Sequence, residues 1–348
     1  MQAMSQPIRY LSDAEAPRYL PDLDARVDLC EQALIALAQP PGAGGSRPAD
    51  LPPKMPIDVA RGAAFAHAMP AAVEIGGQRH VGLKWIAGDP AAPPPSIQGV
   101  ILLERVGAPG LRAIVAAAGL TGARTAAVSM VGLRAAPPRT QHVADGGVVR
   151  VAFVGGGVQA HAHREALHAE MPDARVCFVT RRAPGELPLG PHDAAVSPEV
   201  LAEAVRNADV VITSVAFGTE GRAIDPRDVV PGATLIATDY ATAVTAATVT
   251  GIRAHGAEAE PVPRLLVDDA TQFDATRSSG KLPGYAEADA TLGALLADPD
   301  VIGARVRERA VGVTVVVNHL GVAVCDIVIA SKVVEIAESS HAGTGLER

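Results

Sequence analysis

Apolar residues recur at three- and four-residue spacing through DAEAPRYL and DLDARVDLCEQALIALAQ near the start of the chain, which predicts one or two helices. A Gly- and Pro-rich stretch, PPGAGGSRPADLPPK, then breaks the pattern. From about Phe65 to Leu103 the pattern turns to short strands: FAHAMPAAVEI, HVGLKWIAG and, after a Pro-rich loop, IQGVILLER. That order reads as an antiparallel meander. The segment ARTAAVSMVGLRAA, residues 123 to 136, predicts a helix. From Val148 strand and helix alternate: VVRVAFVGGG, a helix over HAHREALHAEM, ARVCFVTRR, a helix over SPEVLAEAVRNA, DVVITSV and ATLIATDY. Such alternation implies a parallel α/β sheet. Beyond about residue 300, RVRERAVGVTVVVNHLGVAVCDIVIASKVVEIAE reads as one or two long, largely buried helices. The layout is a strand-rich first part, an α/β insert and a helical return.

A chain of 348 residues is long enough for two domains, and 48% hydrophobic with 20% charged residues is ordinary for a globular protein. A net charge of −8 and only 3% aromatic residues leave no basic stripe or stacking platform for nucleic acid, and disfavour anionic membrane surfaces. Cys30, Cys177 and Cys325 lie far apart, without a CxxC pair. This spacing argues against a disulfide framework or a zinc site and suits a reducing cytoplasm. No metal ligand set is expected. The start of the sequence lacks the apolar stretch of a signal peptide, and no run of about 18 uncharged apolar residues suggests a membrane span.

Within VRVAFVGGGVQAHAHREAL, the residues Gly155, Gly157, Val158, Gln159 and Ala160 fit the G-x-G-x-x-G/A fingerprint between an apolar strand and a helix. The first glycine permits the tight turn and the second lets backbone approach a pyrophosphate. The third small residue lets the helix pack on the sheet. Unpaired N–H groups at the helix start then face the phosphates. A glycine-rich turn without ligand is the bland alternative. The second strand ends in Thr180, Arg181 and Arg182 rather than in an acid. Basic residues there favour a 2′-phosphate, so NADP(H) is expected over NAD(H), unless both arginines are ordinary surface charges.

Charged groups also interrupt apolar segments: Lys54 in LPPKMPID, Lys84 in GLKWIAG, Arg124 beside Thr125 in TGARTAA, and Asp239 in LIATDYA. An isolated lysine in a strand usually snorkels to solvent, and an arginine at a helix start often makes a structural ion pair. Asp239 ends a strand, where open α/β sheets bind ligands. Taken jointly, the four supply cations for a carboxylate and one acid near a nicotinamide.

The series LPPKMPID, HAMPA, VGLKWIAGDP, TGARTAAVS and VAFVGGGVQA resembles the ornithine cyclodeaminase and mu-crystallin family, and the likeness continues through VDDATQFDATRSSGKL, ATLGALL and NHLGVAVCDIVIA. The resemblance implies an α/β fold. A Rossmann dinucleotide-binding domain, residues 126–315, is inserted in a strand-rich α+β substrate-binding and dimerisation domain. That domain comprises residues 1–125 and the C-terminal helices, 316–348. It implies a homodimeric NAD(P)-dependent enzyme in which Lys84 and Arg124 hold the substrate carboxylate, Lys54 adds to that clamp, Thr125 belongs to the cofactor site, and Asp239 is the acid/base. The sequence departs from the family at GDPAAPPP, where many relatives carry an asparagine. It departs again in ATAVTAATV after Asp239, which lacks the Pro-Gly-Lys-x-Glu run of true ornithine cyclodeaminases.

The expected activity is reduction of an α-imino acid to an α-amino acid with NAD(P)H, or the reverse. An ornithine-type cyclodeaminase is the first alternative; it requires an acid for the distal amine, for which only Glu74 and Asp89 lie nearby in sequence. A non-enzymatic NADPH-binding protein is the second. His161 and His163 do not share a helix face, and His319 is expected as a satisfied core histidine in an apolar helix.

Overall fold

The computed structural model describes residues 7–42, 47–59, 64–89, 97–107, 109–216, 219–255 and 262–347. The chain divides into two compact units, residues 1–124 with 322–348 and residues 125–321.

The first unit contains β1 (Ile8–Leu11), β2 (Ala49–Asp50), β3 (Met55–Ile57), β4 (Phe65–Ile75), β5 (Gln78–Gly88), β6 (Ile97–Glu104) and β7 (Leu111–Ala116). They form one sheet in the order β1-β7-β6-β5-β4-β2, with β3 also on β4. The expected meander is the antiparallel run β4 to β7. Gly76 and Gly77, at φ 58° and 75°, turn β4 into β5, and that two-residue turn fixes the register through Met69 opposite Lys84. Ile101 faces Lys84 from the other side. Helix α1 (Leu23–Ala38) and the C-terminal helix of the chain, Ala323–Ser339, pack on this unit's sheet and bury Val73, Met69, Ile101 and Leu103. The Pro-rich loop expected between β5 and β6 lies outside the described residues, at 90–96.

Helix α2 (Ala118–Ala135) starts five residues before the predicted position, and the boundary between the units falls within it. The second unit has β8 (Arg150–Val154), α3 (Val158–Glu170), β9 (Arg175–Val179), β10 (Ala194–Val196), β11 (Val210–Thr213), β12 (Thr234–Ala237), α4 (Ala246–Ala254), β13 (Leu265–Val267), α5 (Ala270–Ser278), β14 (Ala290–Thr291) and β15 (Val315–Asn318). Its sheet is wholly parallel, in the order β10-β9-β8-β11-β12-β15-β13-β14. The strand order reverses about β8, which makes the carboxyl ends of β8 and β11 the switch point where such sheets bind ligands. Strands β11, β12, β13 and β15 are buried throughout, as parallel strands covered on both faces must be.

β15 corrects the expectation of one or two long helices after residue 300, of which one long helix, Ala323–Ser339, is present. The run Val-Thr-Val-Val-Val is β-branched, which costs side-chain freedom in a helix and packs well in a pleated sheet between β12 and β13. Gly321, at φ 83°, then turns the chain, and α6 (Ala323–Ser339) begins two residues later. β16 (Thr344–Leu346) adds to the edge of the first sheet, on β1. No helix among the described residues is long and apolar enough to cross a membrane.

Candidate functional site

Lys84 does not snorkel. Its side chain is 1% exposed, on the face of β5 that carries Met69 and Ile101 as cross-strand neighbours. Two of its three N–H donors are engaged: Nζ donates to Thr121 Oγ1 at 2.8 Å and to Asp326 Oδ1 at 2.8 Å. The Thr121 hydroxyl in turn donates to Ala117 O at 2.7 Å, which leaves its lone pairs for the lysine. Arg124, one helical turn beyond Thr121 on α2, donates from Nε to the same Asp326 Oδ1 at 2.9 Å. Among the described residues its Nη edge makes no hydrogen bond, and that planar fork matches a carboxylate. Asp326 sits in the first turn of α6, where the helix dipole favours an anion. Its Oδ2 is buried without a hydrogen bond among the described residues.

The electrostatics follow from that geometry. Burial pushes the Lys84 amine down to about 8, and Arg124 and Lys54 push the same way against the pull of Asp326. Asp326 is itself held below the ordinary carboxyl range, because Arg124 and Lys84 together outweigh the cost of burying it. Lys54, half-buried on the segment before β3, thus joins Lys84 and Arg124 in one electrostatic cluster. Two cations share one carboxylate, and Lys54 adds its field at Lys84, an arrangement suited to receive a second anion. Asp326 was not singled out in the sequence, although an aspartate inside the apolar run GVAVCDIVIA is a visible anomaly. Thr121 left no comparable signal.

In the second unit, β8 leads into the glycine turn. Gly155 has φ 140°, and a Cβ there would lie 2.5 Å from Ser214 O, so only glycine fits. A Cβ on Gly157 would meet nothing within 4 Å, which marks open space at the start of α3. Gly157 is the N-cap and no side chain caps the helix, so its first N–H groups are available to a phosphate. Val158 is 67% exposed at the first helical position, whereas Ala160 is buried against the sheet. Gln159 Oε1 is buried without a partner. These residues fit the pyrophosphate of a dinucleotide. Thr180 follows β9, its Oγ1 accepting from Arg182 N at 3.2 Å, while Arg181 and Arg182 are exposed. Arg182 pairs loosely with Glu186 at 3.4 Å. Thr125, buried on α2, belongs to the second unit.

Asp239 lies two residues past β12. Its Oδ1 accepts from Thr242 N at 2.9 Å and Ala243 N at 3.0 Å, through a turn that holds Ala241 at φ 54°. Among the described residues Oδ2 is buried and has no hydrogen-bond partner. Burial raises this carboxyl above its ordinary value, against the opposing pull of the Thr213 hydroxyl and the two backbone N–H groups.

His163 and His319 meet in one chain of hydrogen bonds through Ser129. His163 Nδ1 contacts Gln159 O at 2.8 Å and can only donate there, so its Nε2 accepts from Ser129 Oγ at 2.8 Å. Ser129 has one hydrogen, so His319 Nε2 donates to it at 2.9 Å. Burial pushes His163 down to about 4, in keeping with the neutral ring that this chain of bonds requires. His319 follows β15 rather than sitting in a helix. Among the described residues no group of acids, histidines and cysteines is placed to hold a metal ion.

The sequence model of the ornithine cyclodeaminase/mu-crystallin family matches residues 24–341. The nodulation efficiency protein NfeD of Rhizobium meliloti is 29% identical over 304 residues, which is 84% of this chain and 86% of that protein. Among solved structures, the Δ1-pyrroline-2-carboxylate reductase of Thermococcus litoralis, in complex with NADH and L-proline, has a TM-score of 0.74 at 17% identity. The match covers 97% of this chain and 100% of that one. An archaeal alanine dehydrogenase dimer with bound NAD gives 0.72 at 18% identity, over 98% and 99% of the two chains. These two likenesses establish a shared fold.

The buried triad sets an order of stability. Asp326→Asn strands two buried cations and is expected to cost about 3–5 kcal/mol. Lys84→Met leaves Asp326 paired with Arg124 and should cost less than about 2 kcal/mol. Urea unfolding of both variants checks this; the reverse order would contradict it.

Proposed function

The chain belongs to the ornithine cyclodeaminase/mu-crystallin family, and on that premise we propose that it is an NADP(H)-dependent oxidoreductase of α-imino and α-amino acids. The observation that carries this reading is Lys84, a buried amine shared with Arg124 around one carboxylate, each cation keeping donor capacity for another. The third N–H of Lys84 and the Nη edge of Arg124 take the substrate carboxylate, and Lys54 strengthens the field. A bound nicotinamide dinucleotide supplies or accepts the hydride at the carbon that bears nitrogen. Gly155, Gly157, Val158, Gln159 and Ala160 hold its pyrophosphate. Asp239, raised by burial, passes a proton to or from the substrate nitrogen through its unpartnered Oδ2. Thr180, Arg181 and Arg182, at the end of β9, take the 2′-phosphate of NADP(H), Arg182 giving up its loose, exposed contact with Glu186. The Thermococcus litoralis reductase in complex with NADH and the archaeal alanine dehydrogenase with bound NAD support a nicotinamide cofactor more broadly.

The cyclodeaminase alternative needs an acid for a distal amine. Glu74 is exposed at the turn end of β4 and the run after Asp239 contains no acid, which leaves Asp89 alone of the two nearby acids, and the reductase or dehydrogenase reading is preferred. Absorbance at 340 nm decides between them, with NADPH or NADH and the imines formed from pyruvate or glyoxylate with ammonia. Cofactor oxidation is expected, faster with NADPH, and Lys84→Ala should lower kcat/KM about 100-fold. Ammonia released from ornithine with no net change in cofactor would replace this reading with cyclodeamination. Binding of NADPH without turnover of any imino or amino acid would favour a binding protein.

The same reading makes the chain a homodimer. Side chains alternate along β5, so the face opposite Lys84 carries Trp85, in register with Ala68 and Val100, and Met55 lies opposite Ala68. Trp85, Met55 and Ile57 on that face are exposed, at 39%, 47% and 45%. A contiguous apolar sheet face of this kind is an association surface. Light scattering should give a dimer for the natural chain and a monomer for Trp85→Glu; a monomeric natural chain would refute the assignment.

A further inference from the structure

Among the described residues six buried side-chain atoms lack a hydrogen bond, and three of them belong to Thr213, Asp239 and Asn318 in the second unit. All three side chains come from the carboxyl ends of adjacent parallel strands. Thr213 is opposite Ala237, and Ala237 is opposite Asn318, so the three share one face of the sheet across β11, β12 and β15. Ala237 contributes only a methyl group, which leaves a gap between the two polar residues, and Asp239 follows two residues on. The Thr213 hydroxyl is near enough to Asp239 to favour its charged form, yet makes no bond of normal geometry.

The orientation of Asn318 is set by its neighbour. Tyr285 donates from its hydroxyl to Val244 O, and Asn318 Nδ2 donates to that hydroxyl in a long contact of 3.5 Å. The amide nitrogen is thereby directed to Tyr285 and Oδ1 away from it. Asp239 is fixed likewise, because Thr242 and Ala243 occupy Oδ1 and leave Oδ2. Thr213, Asp239 and Asn318 are at most 3% exposed, so each unsatisfied oxygen is costly unless a ligand completes it. Asp239 Oδ2 and Asn318 Oδ1 can only accept when the acid is ionised. They call for a ligand nitrogen with two N–H donors, and the negative charge of Asp239 favours a cationic one.

We propose that Asp239 Oδ2 and Asn318 Oδ1, with the Thr213 hydroxyl beside them, receive a primary nitrogen, the =NH2⁺ or –NH3⁺ of the substrate. This inference rests on the function proposed above and narrows it. The substrate is a primary α-imino or α-amino acid, rather than a cyclic or N-alkylated one. A cyclic iminium has a single N–H and leaves one buried acceptor unmatched, which a site built on hydrogen bonds discriminates strongly. The carboxamide of the cofactor also carries an NH2 group, so the experiment separates the two sources.

Rates with pyruvate or glyoxylate and ammonia are compared with the same acids and methylamine, and with pyrroline-2-carboxylate. Calorimetry with alanine and N,N-dimethylalanine, whose ammonium keeps a single N–H, on the protein holding NADP⁺, reads binding apart from turnover. A preference of about tenfold or more for the primary nitrogen is expected in both. Asn318→Leu should remove most of that preference by weakening the primary ligand about tenfold, with the N,N-dimethyl ligand changed less than about threefold. Thr213→Val, which is nearly isosteric, should act in the same direction if Asn318→Leu fails to fold. Equal handling of primary, N-methyl and cyclic nitrogen overturns the proposal while leaving the oxidoreductase reading intact. Equal losses for both ligands in the variants overturn it in favour of a structural role. If Asn318→Leu weakens NADPH but not its 3-acetylpyridine analogue, which lacks the NH2, the site serves the cofactor and the substrate assignment falls. Binding of NADPH with no imino or amino acid bound or turned over defeats both readings.

Discussion

Asp326 is the constraint on which the first unit's chemistry depends. A lysine and an arginine cannot both be removed from water in a protein core without an anion between them. One carboxylate oxygen serves Lys84 and Arg124 together, at 2.8 and 2.9 Å. The bridging charge brings residues from β5, α2 and α6 to one point, and it does so without saturating either cation. A pair satisfied one to one would be inert. Two cations sharing one acceptor, with Lys54 also acting on the amine, remain ready for a further carboxylate.

The second unit handles a different problem with the same economy. Gly155 exists where a Cβ would strike Ser214 O, and Gly157 faces open space, so the turn is shaped for something that approaches the backbone. Asp239 is held by two backbone N–H groups through a turn with Ala241 in the left-handed region, a strained conformation for alanine. Such strain is retained where the surroundings over-determine it, and here it leaves one carboxylate oxygen uncommitted.

Much of the fold was legible because local pattern and tertiary fate agree. The alternation in FAHAMPAAVEI and HVGLKWIAG gives β4 and β5, and strand-helix alternation after Val148 gives the parallel sheet. The pattern misled at VTVVVN, where a short apolar run beside a long apolar helix was merged with it; β-branching was the signal that should have separated them. The glycine turn between β8 and α3 was readable because its residues are contiguous. The triad was not, since Asp326 lies 242 residues from Lys84 in sequence and burial cannot be seen in one dimension. Asn318 escaped notice for a similar reason: as the last residue of β15 it has meaning only beside β11 and β12.

The most direct measurement of the central claim is the affinity of pyruvate, a carboxylate whose own charge is constant, for the protein with NADP⁺ between pH 7 and 9.5, read calorimetrically in buffers of different ionisation enthalpy. Lys84 titrates at about 8 in the free protein, and a bound carboxylate pulls its value back up. The lysine is already charged below that pH and must take up a proton to bind above it. The expected result is little pH dependence below 8, a fall approaching about tenfold per pH unit above it, and an uptake that tends to one proton and vanishes in Lys84→Met. Affinity that is flat to pH 9.5, or proton uptake that survives in Lys84→Met, would contradict Lys84 as the carboxylate clamp.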